Sequence, residues 1–146
     1  MDRGTVLVVD DEMDIRIFLS TFFKANGFNP VMCRNGREGI EAARSHAPAL
    51  IVLDVMMPEA GGARMYRTLK TDPDLSAIPV IMLSGVSERA FSHYLKMLRI
   101  HEEDGIAPPA AYVEKPPDPE RLLDVVTAVL AAADASGDAG TAPEPP

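Results

Sequence analysis

The chain has 146 residues, 47% of them hydrophobic and 25% charged, with a formal net charge of −8. That size and balance suit one globular domain with a real core. The acidic charge argues against a nucleic-acid partner, which needs a basic footprint, and against an anionic membrane surface, and no apolar run is long enough to span a bilayer.

Met1-Asp2-Arg3-Gly4 leads straight into a first strand, Thr5 to Val9, with none of the regions of a signal peptide. One cysteine, Cys33, cannot form an internal disulfide. Both observations predict a cytoplasmic protein, with Cys33 a small buried hydrophobe. The strand closes on Asp10-Asp11-Glu12. Ile15, Phe18, Leu19, Phe22 and Phe23 then recur at helical spacing to about Asn26, with Gly27 placed to cap the end. Glu12, at the start of this helix, complements its dipole. A second strand, Phe28 to Cys33, carries Pro30, which favours an edge position. Asn35 caps a second helix running to about His46.

The third strand is Leu50 to Leu53, followed by a loop from Asp54 to Gly62 and a helix to about Lys70. Asp72-Pro73-Asp74 precedes a fourth strand, Val80 to Leu83, which ends at Ser84. Ser87 caps a fourth helix with Phe91, Tyr94, Leu95 and Leu98 on one face. A fifth strand, Ala110 to Val113, is followed by Lys115-Pro116. Asp118-Pro119-Glu120 starts a last helix whose apolar face is Leu122, Leu123, Val126, Val129 and Leu130. From Asp134 the composition turns to Ala, Gly, Asp and Pro. The domain is therefore expected over 1–133 and a flexible acidic tail over 134–146.

Alternating strands and helices imply a parallel sheet covered on both faces, an α/β protein. Ligands of such sheets bind outside the carboxyl ends of the strands. Asp10, Asp11, Asp54, Ser84 and Lys115 all fall at strand ends, so an acid cluster, a hydroxyl and an ammonium converge there. That set suits a divalent metal and a phosphoryl group. His46, His93 and His101 have no metal-ligand spacing and are expected as surface or helix-face residues.

In these motifs the chain resembles the receiver domain of two-component response regulators, the CheY-like family. The carriers are Val8-Val9-Asp10-Asp11-Glu12, Asp54 with Met57-Pro58 and Gly61-Gly62 behind it, Ser84, and Lys115-Pro116. The resemblance covers Thr5 to about Ala133. It implies a flavodoxin-like doubly wound sheet of five parallel strands in the order 2-1-3-4-5. It also implies that Asp54 is the phosphoacceptor, and that Mg²⁺ is held by Asp11, Asp54 and the backbone carbonyl of Met56, with Asp10 acting through water. Lys115 would pair with the phosphoryl oxygens and Ser84 would hydrogen-bond them. Tyr112 stands where the family has its aromatic switch residue and would turn inward as Ser84 moves. The donor would be a histidine kinase or a histidine phosphotransfer protein, and the switched face would meet an unknown downstream protein as a monomer or a phosphorylation-dependent dimer.

Two features depart from the pattern. The step from Ser84 to Lys115 is 31 positions, longer than usual. It predicts an extended fourth helix and a Pro-bounded loop over His101 to Pro109, beside the output face. Gly85 after Ser84 predicts an acyl phosphate open to water and self-dephosphorylation. No helix-turn-helix or basic helix follows Ala133, so a stand-alone receiver is expected. A degenerate receiver that binds partners without phosphate is the alternative. A haloacid-dehalogenase-type phosphatase needs an acid where this chain has Met56, and a nucleotide site would need a glycine-rich loop where it has Asp10-Asp11-Glu12.

Overall fold

Side chains alternate across a strand, so an unbroken apolar run needs cover on both faces. The computed structural model, which describes residues 2–100 and 102–140, provides it. Strands and helices alternate as β1 (Thr5–Val9), α1 (Met13–Ala25), β2 (Asn29–Cys33), α2 (Gly36–His46), β3 (Leu50–Asp54), α3 (Gly61–Thr71), β4 (Val80–Ser84), α4 (Glu88–Met97), β5 (Ala111–Glu114) and α5 (Pro119–Gly140). All pairings are parallel and the order is β2-β1-β3-β4-β5, as expected. Val6, Val8, Leu50, Val52, Ile81 and Leu83 pack with Leu19, Phe22 and Phe23 of α1 and Leu122 and Val126 of α5. Leu7, Val9, Ile51, Leu53 and Met82, on the other face, pack with Met65, Tyr66 and Leu69 of α3 and Phe91 and Leu95 of α4.

The local signals act as their chemistry dictates. Asn35 Oδ1 accepts from the Glu38 amide at 2.9 Å, Ser87 Oγ from Ala90 at 3.2 Å, and Asp118 Oδ2 from Arg121 at 3.1 Å. Gly27 takes the left-handed conformation past α1, with φ 85°. Pro30 sits on β2, an edge strand.

Three differences from expectation concern ends. β3 and β4 each run one residue further, so that Asp54 and Ser84 are the last residues of their strands. α5 continues to Gly140 rather than stopping near Ala133; the rest of the expected tail, 141–146, and His101 lie outside the described residues. The fourth helix is not extended. It stops at Met97, where Arg99 turns left-handed at φ 58° and the Ile100 amide reaches back to the Leu95 carbonyl at 2.8 Å. The extra chain forms a short 3₁₀ turn, Glu102–Asp104, and buries Ile100 and Ile106. From α3, Arg67 donates to the Leu98 and Arg99 carbonyls at 2.7 Å each, and the Tyr66 hydroxyl to that of Ala107 at 2.5 Å. The insertion is thus fastened to the domain by buried aliphatic side chains and by donors from a neighbouring helix.

Candidate functional site

Strand order reverses direction between β1 and β3, with β2 on one side of β1 and β3 on the other, so a crevice opens at the carboxyl ends of β1 and β3. Asp10 follows β1 into it. The Asp10 carboxylate is 1% exposed, and its Oδ1 accepts from the Glu12 amide at 2.8 Å. The Asp10 carbonyl accepts from Arg16 Nη1 at 2.8 Å, tying the start of α1 to the strand end. Asp54 closes β3, also buried, with Oδ1 accepting from the Met56 amide at 3.1 Å. Asp11 is exposed at the rim. Gly62 lets α3 begin against the Asp54 backbone; a Cβ there would lie 2.2 Å from the Asp54 carbonyl oxygen.

Lys115 comes in from the far side of the sheet. Its amide donates to the Ser84 carbonyl at 2.7 Å, which fixes the end of β5 to the end of β4. Its ammonium then lies 2.9 Å from Asp10 Oδ2, 2.8 Å from Glu12 Oε1 and 3.3 Å from Asp54 Oδ2. The contact to Asp10 Oδ2 is an ion pair without the geometry of a directed hydrogen bond, so this buried oxygen keeps a lone pair facing the cluster.

Electrostatics follow from burial. Loss of water raises the Asp54 carboxyl to about 6, helped by the charge of Asp10 and opposed by Lys115 and the Met56 amide. Burial also raises Asp10, against the Glu12 amide and Lys115. For Lys115 burial alone would lower the ammonium's pKa, but the hydrogen-bonded Glu12 carboxylate and the adjacent carboxylates of Asp10 and Asp54 outweigh it and raise it. One carboxylate oxygen from each of Asp10, Asp11, Glu12 and Asp54 lies within 4.8 Å of the others. All are hard oxygen donors and one carries the lone pair just described, so the residues present fit a small divalent cation such as Mg²⁺.

Ser84 is fully buried, its Oγ accepting from the Val86 amide at 3.4 Å. It therefore does not cap α4, which Ser87 does. Tyr112 is half-buried in β5, stacked on Phe91 with ring centroids 4.4 Å apart, and its hydroxyl donates to the Val86 carbonyl. Burial raises the phenol's pKa, offset in part by a hydrogen bond with Ser84. These contacts dock the ring on the β4–α4 loop and the start of α4. Beside it a groove of about 560 Å³ is lined by Phe91, Leu95, Ile100, Pro108 and Tyr112 among others. Cys33 is buried, and His46 and His93 are exposed. Reading the sequence missed the Glu12–Lys115 contact, for which residues 103 positions apart give no signal. Glu12 is the N-cap of α1, yet its side chain makes no cap hydrogen bond and turns to Lys115 instead.

Fold and site together define a doubly wound α/β protein whose switch-point crevice gathers four acids and an ammonium. The chain belongs to the response regulator receiver domain family, whose model matches residues 6–127. The polar-differentiation response regulator DivK of Brucella anthropi is 28% identical over 130 residues, 89% of this chain and 98% of DivK. The chemotaxis protein CheY4 of Vibrio cholerae superposes with a TM-score of 0.72 at 25% identity, over 86% of this chain and 98% of that one. The receiver domain of a signal transduction histidine kinase from Syntrophus aciditrophicus superposes at 0.73 with 30% identity, over 88% and 91%. No helix among the described residues is long and apolar enough to cross a membrane.

Proposed function

We propose that this receiver accepts a phosphoryl group on Asp54 from a phosphohistidine of a histidine kinase or phosphotransfer protein and thereby switches a partner-binding face. The observation that carries this is the Lys115 ammonium lying between the buried carboxylates of Asp10 and Asp54. An Asp54 oxygen attacks phosphorus. The P–N bond breaks, its electron pair stays on the imidazole nitrogen, and that nitrogen takes up a proton. Asp11, Asp54 and the Met56 carbonyl would hold Mg²⁺, with Asp10 acting through water. When bound, the ion supplies positive charge that offsets repulsion between the acids and the anionic donor. Lys115 pairs with the phosphoryl oxygens as a point charge.

The new group adds about 1.5 to 2 negative charges and strong acceptors. Ser84 moves to donate to it, and its hydrogen bonds to Val86 and Tyr112 are redistributed. Tyr112 carries the change to Phe91 and the groove beside α4, where a downstream protein binds. The insertion supplies Ile100, Pro108 and Pro109 to that groove, which supports a role in partner choice. Gly85 faces open space, with nothing within 4 Å of a Cβ placed there, so water reaches the acyl phosphate and the protein dephosphorylates itself.

Intact mass after incubation with acetyl phosphate and Mg²⁺ tests the reading. Wild type should gain one phosphoryl group and lose it again after donor removal, while Asp54→Asn and a metal-free sample gain none. Failure of wild type to take up either a phosphoryl group or beryllofluoride would refute it.

A further inference from the structure

Lys115 has three N–H donors, and three carboxylates already face them, from Asp10, Glu12 and Asp54. A phosphoryl group on Asp54 brings further acceptors to the same ammonium, so one of the three must give way. Asp10 and Asp54 are anchored in the crevice at 1% and 3% side-chain exposure, whereas Glu12 is 58% exposed. Glu12 is also the carboxylate with nothing else to do at its own helix, since it makes no cap hydrogen bond. Its backbone is nonetheless held beside the site, because its amide donates to Asp10 Oδ1 and its carbonyl accepts from the Arg16 amide at 3.1 Å.

We propose that Glu12 is a positioning residue that holds Lys115 in the unmodified protein and competes with the phosphoryl group for its ammonium, setting how readily Asp54 is phosphorylated. This rests on Asp54 being the phosphoacceptor. Glu12 acts as the lysine's exchangeable partner rather than as a ligand of the cation. A pair whose carboxylate partner is largely exposed is weak, which is what an exchangeable contact requires; its loss should change rates by about two- to fivefold.

Glu12→Asp is the decisive variant. It keeps the charge but shortens the arm, and aspartate at an N-cap prefers to accept from its own helix. Glu12→Gln removes the charge, and Asp14→Asn, an exposed acid in the first turn of α1, controls for charge alone. Three quantities are measured on the full chain: the rate constant for phosphorylation by acetyl phosphate at saturating Mg²⁺, Mg²⁺ affinity by calorimetry, and water exchange of the Lys115 ammonium by nitrogen-15 NMR. The chain has only four lysines to assign. Expected are a phosphorylation rate at least twofold above wild type in both Glu12 variants, faster Lys115 exchange in both, a smaller rate change in Asp14→Asn, and Mg²⁺ affinity within threefold of wild type in Glu12→Asp. A Glu12→Asp rate or exchange equal to wild type would overturn the proposal, as would an Asp14→Asn effect as large as that of Glu12→Gln. A larger loss of Mg²⁺ affinity would make Glu12 a metal ligand and overturn it too. If wild type itself gains no phosphoryl mass, the receiver reading fails and takes the proposal with it. If it gains that mass while the Glu12 variants match wild type, the proposal alone fails.

Discussion

Asp54→Asn should stabilise the protein, and the amount should depend on pH in a way that identifies the cause. Burial lifts the Asp54 carboxyl from 3.8 to about 6. Between those values the folded state binds more protons than the unfolded chain, so stability falls as pH rises through that window, and the whole penalty is present above about pH 6. Roughly two units at 1.36 kcal/mol each set a ceiling of about 3 kcal/mol. Asparagine recovers only part of it. Its oxygen can still accept from the Met56 amide, but its NH₂ group replaces an oxygen that lies 3.3 Å from the Lys115 ammonium. A gain of about 1 to 2 kcal/mol at pH 7.5 is expected, equivalent to a rise in Tm of about 3 to 8 °C for a domain of this size. Near pH 5 the penalty should be about half as large. Urea unfolding followed by far-ultraviolet circular dichroism, in EDTA so that no cation offsets the acids, measures both; the chain has no tryptophan for fluorescence. A mutant less stable than wild type at pH 7.5, or a difference unchanged between the two pH values, would refute the reasoning, because either result means that the carboxylate is not held under electrostatic strain.

Tyr66→Phe removes the hydroxyl that donates to Ala107 and leaves that carbonyl with one donor fewer. It should cost about 1 kcal/mol and speed hydrogen exchange at Ile106 and the neighbouring amides more than elsewhere; uniform exchange would show that the insertion does not depend on this bond. Gly62→Ala forces a Cβ to within 2.2 Å of the Asp54 carbonyl oxygen and 2.6 Å of the Val55 Cα, contacts with backbone that cannot swing aside. A loss of roughly 3 kcal/mol is expected, together with impaired phosphorylation, since the β3–α3 loop must shift; a midpoint of denaturation equal to that of wild type would exclude the close approach.

The fold was legible because each layer leaves a local mark. Apolar runs such as Val6 to Val9 and Ile51 to Leu53 have to be covered on both faces, and each helix between them carries its own stripe and cap, as with Asn35 and Ser87. Strand ends could be placed to within a residue, so the rule for open sheets brought Asp10, Asp54, Ser84 and Lys115 to one edge before any coordinates. Charge neutralisation within that edge was not legible. Whether Lys115 meets Asp10, Asp54, Glu12 or solvent depends on side-chain reach across β1, β3 and β5, and sequence order carries no distance between strands. The same holds for the insertion. Its length suggested a longer helix before a Pro-bounded loop, but what stops α4 is the left-handed turn at Arg99, held by the burial of Ile100 and by Arg67 of α3, which lies 32 positions away in sequence. Local chemistry determined which residues stand at the crevice; long-range packing decided which of them touch, because only tertiary structure sets the distances over which charges act.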